Sequence, residues 1–440
     1  TAALWVYNTE TYTWKQNWST SNNSSSWQSI SVDLSEYDDM LVQLWFTVNP
    51  ASGASPSTCG ACMSDFALDN IVVDANTYSS NSITTYYVDD SGSDSNNGTS
   101  VGTPFATLAK AISASDNGTG VTINVGAGTY SEEDIKFTRS NVTITGAGAT
   151  STIFDGDLDG RFGHILANNV TIQNLQIKDY GVTSSCNADN GSCGGGAIVV
   201  GDSKTSFTIN NTIFDGNVAD GTSGDGGAIE FYDGSSATIN STIFRNNRAG
   251  ASNAAESGKN GGVVKTNGNN TVTFENCLFH ENTSKGNGPV YSGYNNNGTA
   301  TFNNCTIEGN TAYNDNGGFS FSWQGTINIR NSIIRNTKHG ANPGYDLMYF
   351  NSAINVNYGS HNNAAAFSGT NSTSDPLFTD AANDDYTLQS NSPAIDAGSA
   401  TYAPATDILG TSRPQGSADD MGCYEYISSF TWDGSSSSDW

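Results

Sequence analysis

One phrase recurs along this chain and constrains its fold more than anything else in it. It reads Val170-Thr-Ile-Gln-Asn-Leu-Gln-Ile177, then Phe207-Thr-Ile-Asn-Asn-Thr-Ile-Phe214 and Ala237-Thr-Ile-Asn-Ser-Thr-Ile-Phe244. It returns as Val272-Thr-Phe-Glu-Asn-Cys-Leu-Phe279, Ala300-Thr-Phe-Asn-Asn-Cys-Thr-Ile307 and Ile327-Asn-Ile-Arg-Asn-Ser-Ile-Ile334. Shorter versions, Val121–Val125 and Val142–Thr145, precede it. Each phrase is a β-branched strand, a polar corner and a second strand, and none can bury its apolar side alone. Self-similarity at this period is the mark of a stacked solenoid. The spacing varies from 21 residues (Val121 to Val142) to 37 (Val170 to Phe207), so loops of unequal length leave one side of the coil. The expected class is all-β: a right-handed parallel β-helix over 121–426, flanked by β-sandwich (jelly-roll) pieces.

The corner position holds Asn174, Asn211, Ser241, Asn276, Asn304 and Asn331. Stacked about 4.8 Å apart, such amides can bond to one another and to the turn backbone as a structural ladder. A second series, Asn217, Asn247, Asn282 and Asn310, lies three residues past each second strand. Gly pairs at Gly226-Gly227, Gly261-Gly262 and Gly317-Gly318 suit bends taken at positive φ. The Gly-Gly-Ala-Ile units at 195–198 and 226–229 and the Phe-x-x-Asn units at 214–217, 244–247 and 279–282 resemble the polymorphic outer-membrane protein repeats of bacterial surface adhesins.

The chain's ends read differently. Residues 1–75 hold five of the eight Trp and alternate clearly at Ser29–Leu34 and Leu41–Val48, as sandwich strands do. The piece from Trp27 to Val73 resembles the C-terminal half of a MAM-like jelly roll. A polar linker at 76–84 leads to a cap over 85–120, with Thr103 as expected N-cap, Pro104 as first helical residue, and Phe105, Leu108 and Ile112 on one face. Tyr86–Ala114 resembles the N-terminal cap of bacterial β-helix proteins. The blocks Asp375–Phe378, Ser392–Gly398, Asp407–Pro414 and Asp420–Tyr426 resemble their C-terminal closure, which implies a buried Cys423. Residues 427–440 read as the start of a further sandwich repeat, so the chain is expected to be an excerpt of a larger protein. Proteins of this build are common among Bacteroidota substrates of type IX secretion, which implies secretion and surface-anchoring machinery as partners and an extracellular or cell-surface location.

Acids outnumber bases 43 to 16, for a formal charge of −27. That repels nucleic acid and anionic lipid, and no apolar run is long enough to span a bilayer. The close pairs Cys59/Cys62 and Cys186/Cys193 read as loop disulfides of an oxidising compartment. Cys277 and Cys305 occupy equivalent positions and read as a stack in the core in preference to a bridge.

Parallel β-helices include pectate lyases and polygalacturonases, so chemistry has to be weighed. Asp155, Asp157 and Asp159, followed by Gly160 and Arg161, resemble the front half of a calcium loop without its distal Glu. The bland reading is a corner whose carboxylates cap turn amides, and the same holds for Asp89, Asp90 and Asp94. The four His share no spacing, and paired catalytic Asp motifs are absent. No cofactor is required, with calcium the candidate. Tyr291, Tyr294, Tyr313, Trp323 and Tyr345 gather in the later coils, either as core or as a surface for stacking sugar rings. The expected function is a non-catalytic adhesin or display rod taking a polysaccharide or other cell-surface ligand. The runner-up is a polysaccharide lyase or glycoside hydrolase, and a structural spacer is the third reading.

Overall fold

The computed structural model describes residues 2–8, 13–20, 42–48, 84–115, 120–182, 194–221, 224–250, 259–294, 297–313, 319–321, 325–339, 353–357 and 372–428. It gives side-chain surroundings for those from 84 onward except 319–321, 338–339 and 353–357. The chain divides into two units, Thr1–Ser82 and Ile83–Trp440. In the first, Ala2–Asn8 lies between Thr13–Thr20 and Val42–Val48 in an antiparallel sheet, with Trp5 opposite Trp45. The alternation at 41–48 is thus a strand; Ser29–Leu34, Cys59 and Cys62 lie outside the described residues, as do nearly all of the linker and of 427–440.

The second unit is the parallel β-helix. A representative coil runs Phe207–Asn210, Ile213–Asp215, Val218–Ala219 and Ile229–Phe231 before the next begins at Ser236. Each strand pairs in parallel with its equivalent one coil away, building four sheets of ten, eight, six and seven strands in that order around the coil. The winding is right-handed, the sense that right-twisted strands impose on such crossovers. Ten rungs at about 4.8 Å make a rod of roughly 45 Å.

Period-two alternation explains the core. First-sheet strands such as Val121–Val125 and Val142–Gly146 alternate buried and half-exposed. Their inward residues form an unbroken column: Tyr86, Ile123, Ile144, Ile172, Ile209, Ile239, Phe274, Phe302 and Ile329. The second sheet contributes Tyr130, Phe154, Ile177, Phe214, Phe244, Phe279, Ile307 and Ile334. Like meets like at the coil spacing, so rings stack: Phe214 on Phe244 at 5.0 Å, Phe244 on Phe279 at 5.1 Å, Phe274 on Phe302 at 4.6 Å. Cys277 and Cys305 are buried free thiols, as a core stack requires.

The two Asn series divide the work differently from the sequence expectation. The corner residues all take positive φ, from 43° at Asn211 to 58° at Asn174, a conformation that Asn tolerates best after Gly. Their side chains join only in pairs, Asn211 to Asn174 at 2.8 Å and Asn331 to Asn304 at 3.1 Å. Ser241 is too short to continue the line, and Asn276 donates to Thr406 O instead. The continuous ladder is the second series. Asn217, Asn247 and Asn282 each donate Nδ2 to the Oδ1 of the next, ending on Asn310, at 2.9, 3.0 and 2.9 Å, all fully buried.

At the start, Thr85–Val88 is already a rung of the first sheet, paired with Val121–Val125. The helix is Leu108–Ala114 with Thr107 as N-cap, a correction to Thr103 and Pro104. Phe105 still bridges to Val88 in extended form, and Asp94 Oδ1 holds the amides of Ala106 and Thr107, so the helix begins later. Asp94 is thereby committed to the turn.

The C-terminal block 372–428 docks on the outside of the second sheet. That sheet's outward row Ile243, Leu278, Thr306 and Ile333 is apolar apart from Thr306 and packs with Tyr386, Leu388, Ala394, Met421 and Cys423. Cys423 N donates to Thr306 Oγ1, and Asn304 Nδ2 to Asp420 O, both near 3 Å.

Candidate functional site

Where each fourth-sheet strand turns into the next first-sheet strand, one residue per coil stands at the edge. Register places Leu166, Gly201, Tyr232, Asn267 and Tyr294 in this row. Gly201 leaves a gap between its neighbours, and a hollow of about 330 Å³ opens there, lined by Leu166, Gly201, Asp202, Lys204 and Tyr232. A Cβ on Gly201 would lie 3.3 Å from Ile165 O, 3.6 Å from Lys204 Cε and 3.7 Å from Leu166 Cδ2, so the missing side chain brings these groups close around the floor. The hollow pairs an aromatic side chain and an aliphatic one with a carboxylate and an ammonium group, and two coils further Tyr294 stands 46% exposed. Lys265 Nζ lies 5.4 Å from the Tyr294 ring, and Lys285 Nζ 3.9 Å from the ring of Tyr313, itself 51% exposed.

Just inside that edge the fourth sheet's outward row runs Lys136, His164, Val199, Glu230, Lys265 and Ser292. Glu230, Lys265 and His164 are nearly fully buried. Lys265 pairs with Asp225 at 3.3 Å, Asn267 donates to Glu230 Oε1 at 2.8 Å, and Arg161 donates to the carbonyls of Gly194 and Gly195. These charges tie the connecting loops to the sheet. Basic residues are few in this chain, and two of them, Lys136 and Lys265, stand in this row.

Burial, with Arg161 and Lys136 beside it, pushes the pKa of His164 down to about 4, against the pull of Asp134 at 3.2 Å. The unfolded chain therefore takes up this proton first. The stability contributed by a neutral His164 is present above about pH 6.5 and lost as the pH falls toward 4. Between pH 7.5 and 5 the expected loss is about 2 kcal/mol, read from denaturant midpoints. His164→Asn should flatten that slope; an unchanged slope would assign it to other groups.

Tyr291, expected among the surface aromatics, is fully buried with its hydroxyl 2.8 Å from Thr266 Oγ1, because it takes an inward position of its strand. Tyr294 and Tyr313 are exposed; Trp323, Tyr345, Cys186 and Cys193 lie outside the described residues. The carboxylates of Asp155, Asp157 and Asp159 do not converge. Asp155 takes Lys178 of the next coil at 3.0 Å and accepts the Asp157 amide at 3.3 Å. It belongs to an outward column on the second sheet, Asp155, Lys178, Asp215, Arg245, His280, Glu308 and Arg335, in which acid and base largely alternate coil by coil. The hollow itself went unread in the sequence, although its signal is there: the residue directly after each fourth-sheet strand.

No family model matches the chain, and no curated protein matches it. Among solved structures it is similar to pectin methylesterase PemA from Erwinia chrysanthemi, at 12% identity and a TM-score of 0.35, covering 62% of this chain and 88% of that one. Pectate lyase Pel9A matches at 16% identity and a TM-score of 0.32, over 78% of this chain and 96% of that one. A rhamnogalacturonan lyase matches at 13% and 0.30, over 67% and 90%. At these identities and scores no function transfers to this chain. Among the described residues, no helix is long and apolar enough to cross a membrane.

Proposed function

We propose that this β-helix is an extracellular polysaccharide-binding protein that holds an extended sugar chain along its fourth-to-first-sheet edge. The observation that carries the reading is the hollow at Gly201, with Tyr232 and Leu166 on its sides and Asp202 and Lys204 at its rim. Sugar rings offer apolar faces with hydroxyls around their edge, and this lining matches both parts. The row repeats about every 4.8 Å, a step on the scale of one sugar unit, so Tyr232 and Tyr294 are spaced to meet one chain in register. Secretion to a cell surface and a role in adhesion belong to the same proposal.

The test is binding of the full chain to a panel of neutral and acidic polysaccharides. Tyr232→Ala is expected to weaken binding roughly tenfold, the worth of one aromatic platform. Gly201→Leu, whose Cβ would lie 3.3 Å from Ile165 O and whose side chain would occupy the hollow, is expected to abolish it. Binding that survives both substitutions overturns this placement.

One observation favours a second reading, cleavage of the bound chain. Glu230, Asp225 and Lys265 bring two carboxylates and an ammonium group together beside the edge, the residue types that acid–base chemistry on sugars uses. New reducing ends or unsaturated products from the wild type, lost in Glu230→Gln, would establish it. Binding without product leaves the edge a recognition surface.

A further inference from the structure

His280 holds an unusual position. It sits in the second sheet's charge column between Arg245 and Glu308, 1% exposed, with the Tyr386 ring 5.2 Å away. Its Nδ1 is buried and makes no hydrogen bond, although it faces Asp384 Oδ1 at 3.4 Å. Glu281 follows at a corner with φ of 56°, and Asp384 comes from the C-terminal block, at φ of 62° after the 3-10 turn Ala381–Asn383. Ligand atoms of His280, Glu281 and Asp384 all lie within 4.8 Å of one another. Glu308 is near too, opposite His280 on the adjoining strand, and burial together with the charges of Asp384, Glu308 and Glu281 drives the Tyr386 phenol's pKa up. The neighbouring cation, Arg245, is already paired with Asp215 at 2.8 Å.

An acidic cluster alone would signify nothing, since exposed carboxylates gather on many surfaces. Here a buried imidazole nitrogen with no hydrogen bond points into it. We infer that His280, Glu281 and Asp384 bind a divalent transition-metal ion of the zinc type, which clasps the C-terminal block to the flank of the solenoid. One nitrogen and two carboxylate oxygens suit zinc and its neighbours; calcium prefers oxygen alone. Bonds of about 2.0–2.2 Å require the donors to close slightly. His280 is fixed by packing, and the exposed Glu281 and Asp384 supply the movement. The remaining positions face solvent and take water. The site lies on a different face from the sugar-binding edge and does not depend on it.

The experiment is zinc titration of the full metal-free chain, with accessible thiols alkylated so that cysteine cannot supply the signal. A chromophoric chelator reports affinity, and thermal unfolding is followed in parallel. The wild type should bind zinc and gain thermal stability, and calcium in excess should not displace the ion. Asp384→Asn and Glu281→Gln alter exposed side chains and leave the core intact; each should weaken zinc at least tenfold and erase the thermal gain. His280→Gln should do the same. Zinc bound equally by wild type and the Asp384→Asn/Glu281→Gln double variant, or not bound at all, overturns the site and leaves a His–Asp contact alone.

Discussion

Asn247→Ala is expected to destabilise the central coils by on the order of 3–5 kcal/mol, measured as the denaturant midpoint of the β-helix. Asn247 Oδ1 accepts from both the amide and Nδ2 of Asn217, at 3.1 and 2.9 Å, while its Nδ2 donates to Phe214 O and Asn282 Oδ1. All these groups are buried, and each one left unmatched costs about 1–3 kcal/mol. Asn247→Asp keeps one acceptor but places a charge with no cation beside it in the ladder, so it should be no better. The matching change at the corner, Asn211→Ala, removes one exposed bond and places Ala at a φ of 43°, and should still cost less than half as much. Equal effects at the two positions would mean that the buried ladder carries no special weight.

The second large effect is expected at Arg413. Its guanidinium meets Glu425 at 2.7 Å with both side chains fully buried, and also donates to the carbonyls of Asp420 and Gly422. Glu425 in turn accepts from the amides of Gln415 and Asp420. Arg413→Met leaves that carboxylate buried without its cation, at a cost of about 3–5 kcal/mol. The block should then release from the second sheet before the coils unfold. Cys423, now fully buried, reports the release: its reaction with a thiol reagent should accelerate by about two orders of magnitude or more. A thiol that stays protected at mild denaturant would show that the block is held by its apolar contacts alone.

How much of this was readable in advance follows from the range of each interaction. The coil was legible because strand, corner and strand fall within eight residues, and the side-chain period of two assigns Ile172, Ile209 and Ile239 to the inside without any distant partner. The Asn series were visible, but which one forms the ladder was not. That depends on what each side chain meets: the second series faces its own neighbours coil after coil, whereas the corner residues Asn276, Asn304 and Asn331 are buried under the C-terminal block and donate to its carbonyls. Tyr291 and Tyr294 illustrate the same limit at a site: three residues apart in one strand, one fills the core and the other meets solvent. Asp155 looked like a calcium ligand because its partner, Lys178, is a coil away and adjacent only after the chain winds. The docking of the C-terminal block was the least legible, since its contacts join residues from tens to more than a hundred positions apart, as Asn331 does with Ser399 and Asn276 with Thr406.

That docking changes the rule by which the rod comes apart. In a solenoid each coil touches only the coils above and below, so stability propagates from neighbour to neighbour and can fail anywhere along the line. The block lies across four successive coils, from Ile243 through Leu278 and Thr306 to Ile333, as a splint lies along a stack of coins. Those coils must part from it together or stay together. The earlier coils, from Val121 to Phe214, have no such brace among the described residues and can fray singly from their capped end. Under load or heat, the rod has one segment that yields by degrees and another that holds until it gives way at once.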